Sequence, residues 1–164
     1  MKTSRRLAAF TLIEVALALG VAGFCLIPLF GLLPMGINSN QTSVNQTAAG
    51  GIASAVLSDL RSPLVSGTTP RFGFTFTTTQ PQTLYFGMDG STSGAVGSFP
   101  ATGANGATAS TYRATIGVYA PSNSRTATQV RLLITWPAMA DAQPAQWPAN
   151  YAGSYETVVA FDRN

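Results

Sequence analysis

Groups able to do chemistry are few in this chain, and they are scattered. The acids are Glu14, Asp59, Asp89, Asp141, Glu156 and Asp162; there is no histidine, and Cys25 is the single cysteine. The commonest general base and metal ligand is therefore missing, and no intrachain disulfide can form. Asp89 and Asp141 stand alone in irregular stretches, where turn formation is the ordinary work of an aspartate. No spacing brings together an acid–base pair, a nucleophile with its base, or a metal cage. The reading is of a protein that is not an enzyme, with no catalytic residue, no metal and no cofactor. One acid is nevertheless out of place. From Phe10 to Leu33 run 24 residues in which Glu14 is the sole charge. A carboxylate in apolar surroundings is costly unless it is paired, hydrogen-bonded or protonated. The chemistry on offer is charge pairing.

The element that must position Glu14 is a helix. At about 1.5 Å per residue such a run spans roughly 36 Å, enough for a hydrocarbon layer of about 30 Å. It is too long for an ordinary signal-peptide core. Lys2, Arg5 and Arg6 precede it with no compensating acid, which favours a cytoplasmic N-terminus and a domain on the far side of the membrane. Pro28 and Pro34 interrupt its hydrogen bonding, and Gly20, Gly23, Gly31 and Gly36 let other helices come close. Cys25 follows Phe24 rather than a small residue, so it reads as an apolar helix side chain and not as a lipidation site.

The pI of about 9.4 invites a nucleic-acid partner, but the distribution of charge argues against one. Beyond the three leader cations, six arginines face six acids. No basic stripe remains for phosphates, and no nucleic-acid partner is expected. Only 9% of residues are charged and 46% are hydrophobic, which suits a membrane-tethered or exported β-rich module.

The stretch "AAFTLIEVALALG" resembles the N-terminus of type IV prepilins and of the pseudopilins of type II secretion. The resemblance implies leader cleavage between Ala9 and Phe10 on the cytoplasmic face, N-methylation of Phe10, and a prepilin peptidase/methyltransferase that performs both. Lys2, Arg5 and Arg6 become the basic anchor of the leader. Glu14 falls at the fifth mature position, where the family keeps its glutamate, and the new amine of Phe10 in one subunit can pair with Glu14 of another. Two costly charges are then neutralised together, and the pairing sets register and subunit orientation. Ala9 departs from the family, which usually has glycine before the cut. "TLIE" also reads as a Thr-x-x-Glu capping box, a role compatible with pairing. "GLLPMGINSNQTS", "IASAVLSDLRS" and "LLITWP" are similar to minor prepilin-like proteins of the Verru_Chthon cassette protein B group. The disulfide loop of many major pilins is absent.

Past the membrane, Ile37, Val44, Ala48, Ile52, Val56 and Leu60 fall mostly four apart, with Ala55 and Leu57 alongside. They predict an amphipathic helix over 37–62, weakened at Gly50-Gly51 and ended by Pro63. Period-two patterns predict strands at 71–79, with Phe72, Phe74 and Phe76 on one face, at 83–90 running into an Asp89-Gly90 turn, and at 112–120, 129–137 and 155–162. In the fourth, Val130, Leu132, Ile134 and Trp136 alternate against Arg131, Leu133 and Thr135. Residues 87–111 and 137–153 are long irregular segments, the second holding Trp147 and Tyr151, with Tyr155 just beyond it. Such aromatics either cover the local core or form a contact surface. Asn40 and Asn45 head formal glycosylation sequons, which arise easily on a polar helix face.

These elements predict an α+β fold in which a long N-terminal helix packs its second half on an antiparallel sheet, the pilin-like arrangement that the resemblance implies. The expected organisation is a leader (1–9), a membrane and assembly segment (10–36), an amphipathic helical half (37–62) and a β-rich head (63–164). The expected role is that of a minor pilin or pseudopilin in the inner membrane, with its head in the periplasm and other pilins or pseudopilins as partners. The alternative is a single-pass anchored binding module whose loops 87–111 or 137–153 hold a glycan, DNA or an exported protein.

Overall fold

The computed structural model describes residues 11–76, 80–99, 110–119, 126–141, 143 and 145–162. One helix, α1 (Leu12–Arg61), is followed by a five-stranded antiparallel sheet formed by β1 (Gln82–Phe86), β2 (Thr92–Ser93), β3 (Tyr112–Tyr119), β4 (Thr128–Trp136) and β5 (Gly153–Phe161). The strand order is β2-β1-β3-β4-β5. The fold is α+β, as the patterning predicted. Contacts divide the chain into two units, with the boundary after Gln41.

In the first unit α1 is apolar on every side. Leu12, Leu19, Phe24, Ile27 and Phe30 are among its exposed large side chains, and the helix runs through both Pro28 and Pro34. It is long and apolar enough to cross a membrane. A helix hydrophobic all round needs an apolar surrounding, either a protein core or lipid.

In the second unit the helix has two faces. Ala49, Ile52, Ala53, Val56 and Leu60 are buried against the sheet, at the i, i+3, i+4, i+7 spacing of one helical face. The buried stripe starts later than the sequence pattern suggested, since Ile37 and Val44 are both exposed. Apolar spacing marks which positions share a face, but burial needs a surface opposite them, and the apolar packing of helix on sheet begins only at Ala48. Tyr112 donates its hydroxyl hydrogen to Oδ1 of Asn45 at 2.9 Å, a polar tie between helix and sheet. The amide of that sequon is thus engaged inside the fold.

The inner face of the sheet is Leu84 and Phe86 of β1, Tyr112, Ala114, Ile116 and Val118 of β3, Val130, Leu132, Ile134 and Trp136 of β4, and Phe161 of β5. The alternation read from β3 and β4 is therefore their inner face. The opposite face departs from expectation, because Leu133 and Thr135 are also buried. Asp141, Gln143 and Gln146, whose carbonyls Arg113 reaches, and Trp147, which packs on Gly117, lie on that side.

Of the strand expected at 71–79, none forms over the described residues 71–76. Thr75 makes one isolated bridge to Thr68, and residues 77–79 lie outside the described residues. Gly73 adopts a positive φ of 78°, which breaks the extended run. Phe72 and Phe74 are both buried even so, and Phe72 packs edge-on against Phe86 at 5.6 Å between centroids. Three phenylalanines at period two can enter a core from a turn as well as from a strand.

Candidate functional site

The start of α1 is built by Thr11 and Glu14. The Thr11 amide donates to Oε2 of Glu14 at 2.9 Å, and the Thr11 hydroxyl donates to the same oxygen at 2.8 Å. The Glu14 amide returns a longer bond to Oγ1 of Thr11 at 3.4 Å. This reciprocal arrangement is the capping box read from "TLIE". It satisfies amides that a helix start leaves without partners, and it sets a carboxylate where the positive end of the helix dipole favours one. Glu14 is exposed, on the same face of the helix as Val15, Ala18, Leu19 and Ala22. The other expected site residues, Lys2, Arg5, Arg6, Ala9 and Phe10, lie outside the described residues. Of the pair expected to carry assembly, only Glu14 is therefore among the described residues.

The long segments resolve into different things. In 87–111, Asp89 and Gly90 form the expected turn, in which Asp89 Oδ1 accepts from the amide of Ser91 at 3.0 Å and from its hydroxyl at 2.6 Å. These bonds hold the Asp89 carboxyl below its usual value, the hydroxyl more than the amide. Phe99 is exposed, and residues 100–109 lie outside the described residues.

Segment 137–153 is fastened to the sheet by a residue that the sequence reading treated only as a balancing charge. Arg113, on β3, is 1% exposed. Its guanidinium donates to the carbonyl of Asp141, and Nη2 donates to those of Gln143 and Gln146, each at 2.5 Å. The Asp141 carboxylate lies 3.8 Å from Nη1. Burial draws the Arg113 guanidinium below its ordinary value, while the Asp141 charge opposes that shift. Asp141 is lowered, chiefly because its carboxylate accepts the Ala149 amide at 2.8 Å. An isolated acid that looked like a turn former thus ties both ends of the loop. The sequence did carry a signal, an arginine at the second position of an otherwise uncharged strand.

Trp147 packs against Gly117. A Cβ added there would come within 2.6 Å of its ring, and the Arg131 guanidinium sits 4.5 Å from its centroid. Trp147 therefore covers local structure, one of the two readings offered by the sequence, whereas Tyr151 and Tyr155 remain exposed. The three aromatics do not form one patch.

A second missed residue is Asp59, buried in the last turns of α1. Its carboxylate accepts the amides of Arg71 at 2.9 Å and Phe72 at 3.0 Å. A negative charge near a helix C-terminus opposes the dipole, and two charge-assisted bonds offset that.

Among the described residues no group of three or more histidine, cysteine, aspartate or glutamate side chains gathers in metal-binding geometry. Comparison with family models, with curated proteins and with solved structures finds no match for this chain.

Proposed function

We propose that this chain is a minor pilin or pseudopilin, a structural subunit of a type IV pilus-like or type II secretion-like filament. In this reading a prepilin peptidase cuts before Phe10 and methylates its amine. The first half of α1 spans the inner membrane with the N-terminus cytoplasmic and the head periplasmic. The observation that carries the reading is the "AAFTLIE" sequence, whose described residues Thr11–Glu14 open a helix that is apolar on all sides. A capped anchor explains Thr11 and Glu14. It does not explain the basic leader, the small residue and the phenylalanine in that order. The capping bonds are compatible with pairing, since they hold the Glu14 carboxylate at the helix end where a neighbour's Phe10 amine would arrive.

The test is the N-terminal mass of the protein, expressed with and without an active prepilin peptidase. The expected product begins at methylated Phe10. A chain that still begins at Met1 beside an active peptidase would leave Glu14 a helix cap, and an anchored binding module would be the better account. Glu14→Ala should insert in the membrane as before, yet fall at least about tenfold in copurification with other pilins, a coupling of ~1.4 kcal/mol or more. Unchanged copurification would remove the pairing role.

A further inference from the structure

The two edges of the sheet differ. One ends in β2, only two residues long. The other is β5, nine residues paired with β4 in unbroken register from Thr128 opposite Phe161 to Trp136 opposite Gly153. Natural sheets protect an exposed edge by shortening it, bulging it, or placing proline, lysine or an inward charge on it. The first edge is protected by shortness. The second has no bulge, no proline and no lysine. Its one charge, Glu156, is drawn back onto β4, where Oε1 accepts from Nε of Arg131 at 2.6 Å. Two positions away on the same face, Val158 is 60% exposed. Among the described residues no strand covers this edge.

We propose that the β5 edge is a docking site for an extended segment of a second protein, which adds to the sheet as a further strand. Backbone groups of Gly153–Phe161 supply the hydrogen bonds, as in other strand-addition complexes. Side chains at alternate positions supply selection. With Glu156 neutralised by Arg131, the edge favours an uncharged strand carrying an apolar residue opposite Val158. A second copy of this chain fits less well. An antiparallel pair of β5 strands is related by a two-fold axis normal to the sheet. That axis reverses the direction of the helix residues packed on it, whereas chains tethered to one membrane by the same segment leave it in the same direction. This choice of partner rests on the anchored-subunit reading; the availability of the edge does not.

The experiment uses the full chain in detergent micelles and two blocked peptides, Ac-Thr-Val-Thr-Val-Thr-Val-Thr-NH2 and its counterpart with every residue's amide N-methylated. Amide hydrogen exchange is read along β5. At saturating unmethylated peptide, every second amide of β5 should slow on the order of tenfold, while β2 amides stay unchanged. The N-methylated peptide keeps the side chains but loses edge donors, and it should give no protection. Equal protection by both peptides, or none by either, would overturn the proposal. Protection of β5 without peptide that grows with protein concentration would assign the edge to a second copy and overturn the choice of partner. None of these readouts depends on N-terminal processing, so this proposal and the filament reading can fail separately.

Discussion

Two stretches of one helix are treated differently by the same chain. From Leu12 to Gln41 the apolar side chains are exposed around the whole circumference, whereas from Ala48 to Leu60 the apolar residues are gathered on one face and covered by the sheet. The hydrophobic effect acts on both, at about 25 cal/mol per Å² of apolar surface removed from water. In the second stretch the chain itself removes that surface. In the first, no described residue does, and the stretch is long and apolar enough to cross a membrane. Small residues serve both stretches by different means. Ala49 and Ala53 let the helix approach the sheet closely, while Gly20, Gly23, Gly31 and Gly36 meet no other atom within 4 Å of an added Cβ.

The sharpest way to break this contrast is the same substitution made on each side of it. Ile52→Asp would bury an unpaired carboxylate in the core, and destabilisation of more than about 4 kcal/mol should unfold the head. Leu19→Asp, in the exposed stretch, should leave the thermal unfolding of the head unchanged. Its effect should appear as a loss of membrane insertion of about 3 kcal/mol. Near-UV circular dichroism of the head and membrane fractionation read the two effects separately. A Leu19→Asp chain with a destabilised head would mean that the first stretch is packed on this molecule after all.

Within the packed unit, the next effect belongs to a polar group. Arg113→Met keeps the volume of the side chain but leaves the carbonyls of Asp141, Gln143 and Gln146 without their donor. A loss of about 2–4 kcal/mol is expected, below that of Ile52→Asp because the freed loop can lift and hydrate its carbonyls. Chemical denaturation measures the loss, and hydrogen exchange of residues 145–152 should rise before the rest of the head. Uniform exchange across the head would show that Arg113 supports the core as a whole and not the loop.

Periodicity made much of this fold legible. Alternation in β3 and β4 and the four-residue spacing of Ile52, Val56 and Leu60 identify faces directly, because a face is a property of local geometry. The capping box was legible for the same reason, since Thr11 and Glu14 meet within one turn. What stayed hidden depends on contacts distant in sequence. Asp59 meets amides 12 and 13 residues away, and Arg113 meets carbonyls 28 to 33 residues away. No spacing rule announces either. The strand missing over 71–76 is a different failure. Its alternation was real, but Gly73 turns the backbone while the phenylalanines still reach the core. The assembly role expected of Glu14 rests on resemblance alone, for no local rule distinguishes a glutamate that pairs with a neighbour from one that caps its own helix.

The smallest expected effect concerns the acid dependence of the two units. Asp141 accepts the Ala149 amide and faces Arg113, and its carboxyl is held below the ordinary value near 4. A group whose folded pKa is depressed adds stability that is fully present above its unfolded pKa and is lost as pH falls through the folded one. Segment 137–152 should therefore loosen below about pH 4, seen as a change in Trp147 fluorescence as the ring leaves Gly117. Asp141→Asn should flatten that change, because the amide no longer titrates. The helix from Leu12 to Gln41 has no basic residue and one acid, Glu14, so acid should leave its far-UV helical signal nearly unchanged across the same range. Loss of helix in step with the Trp147 signal would couple the two units and end the contrast between them.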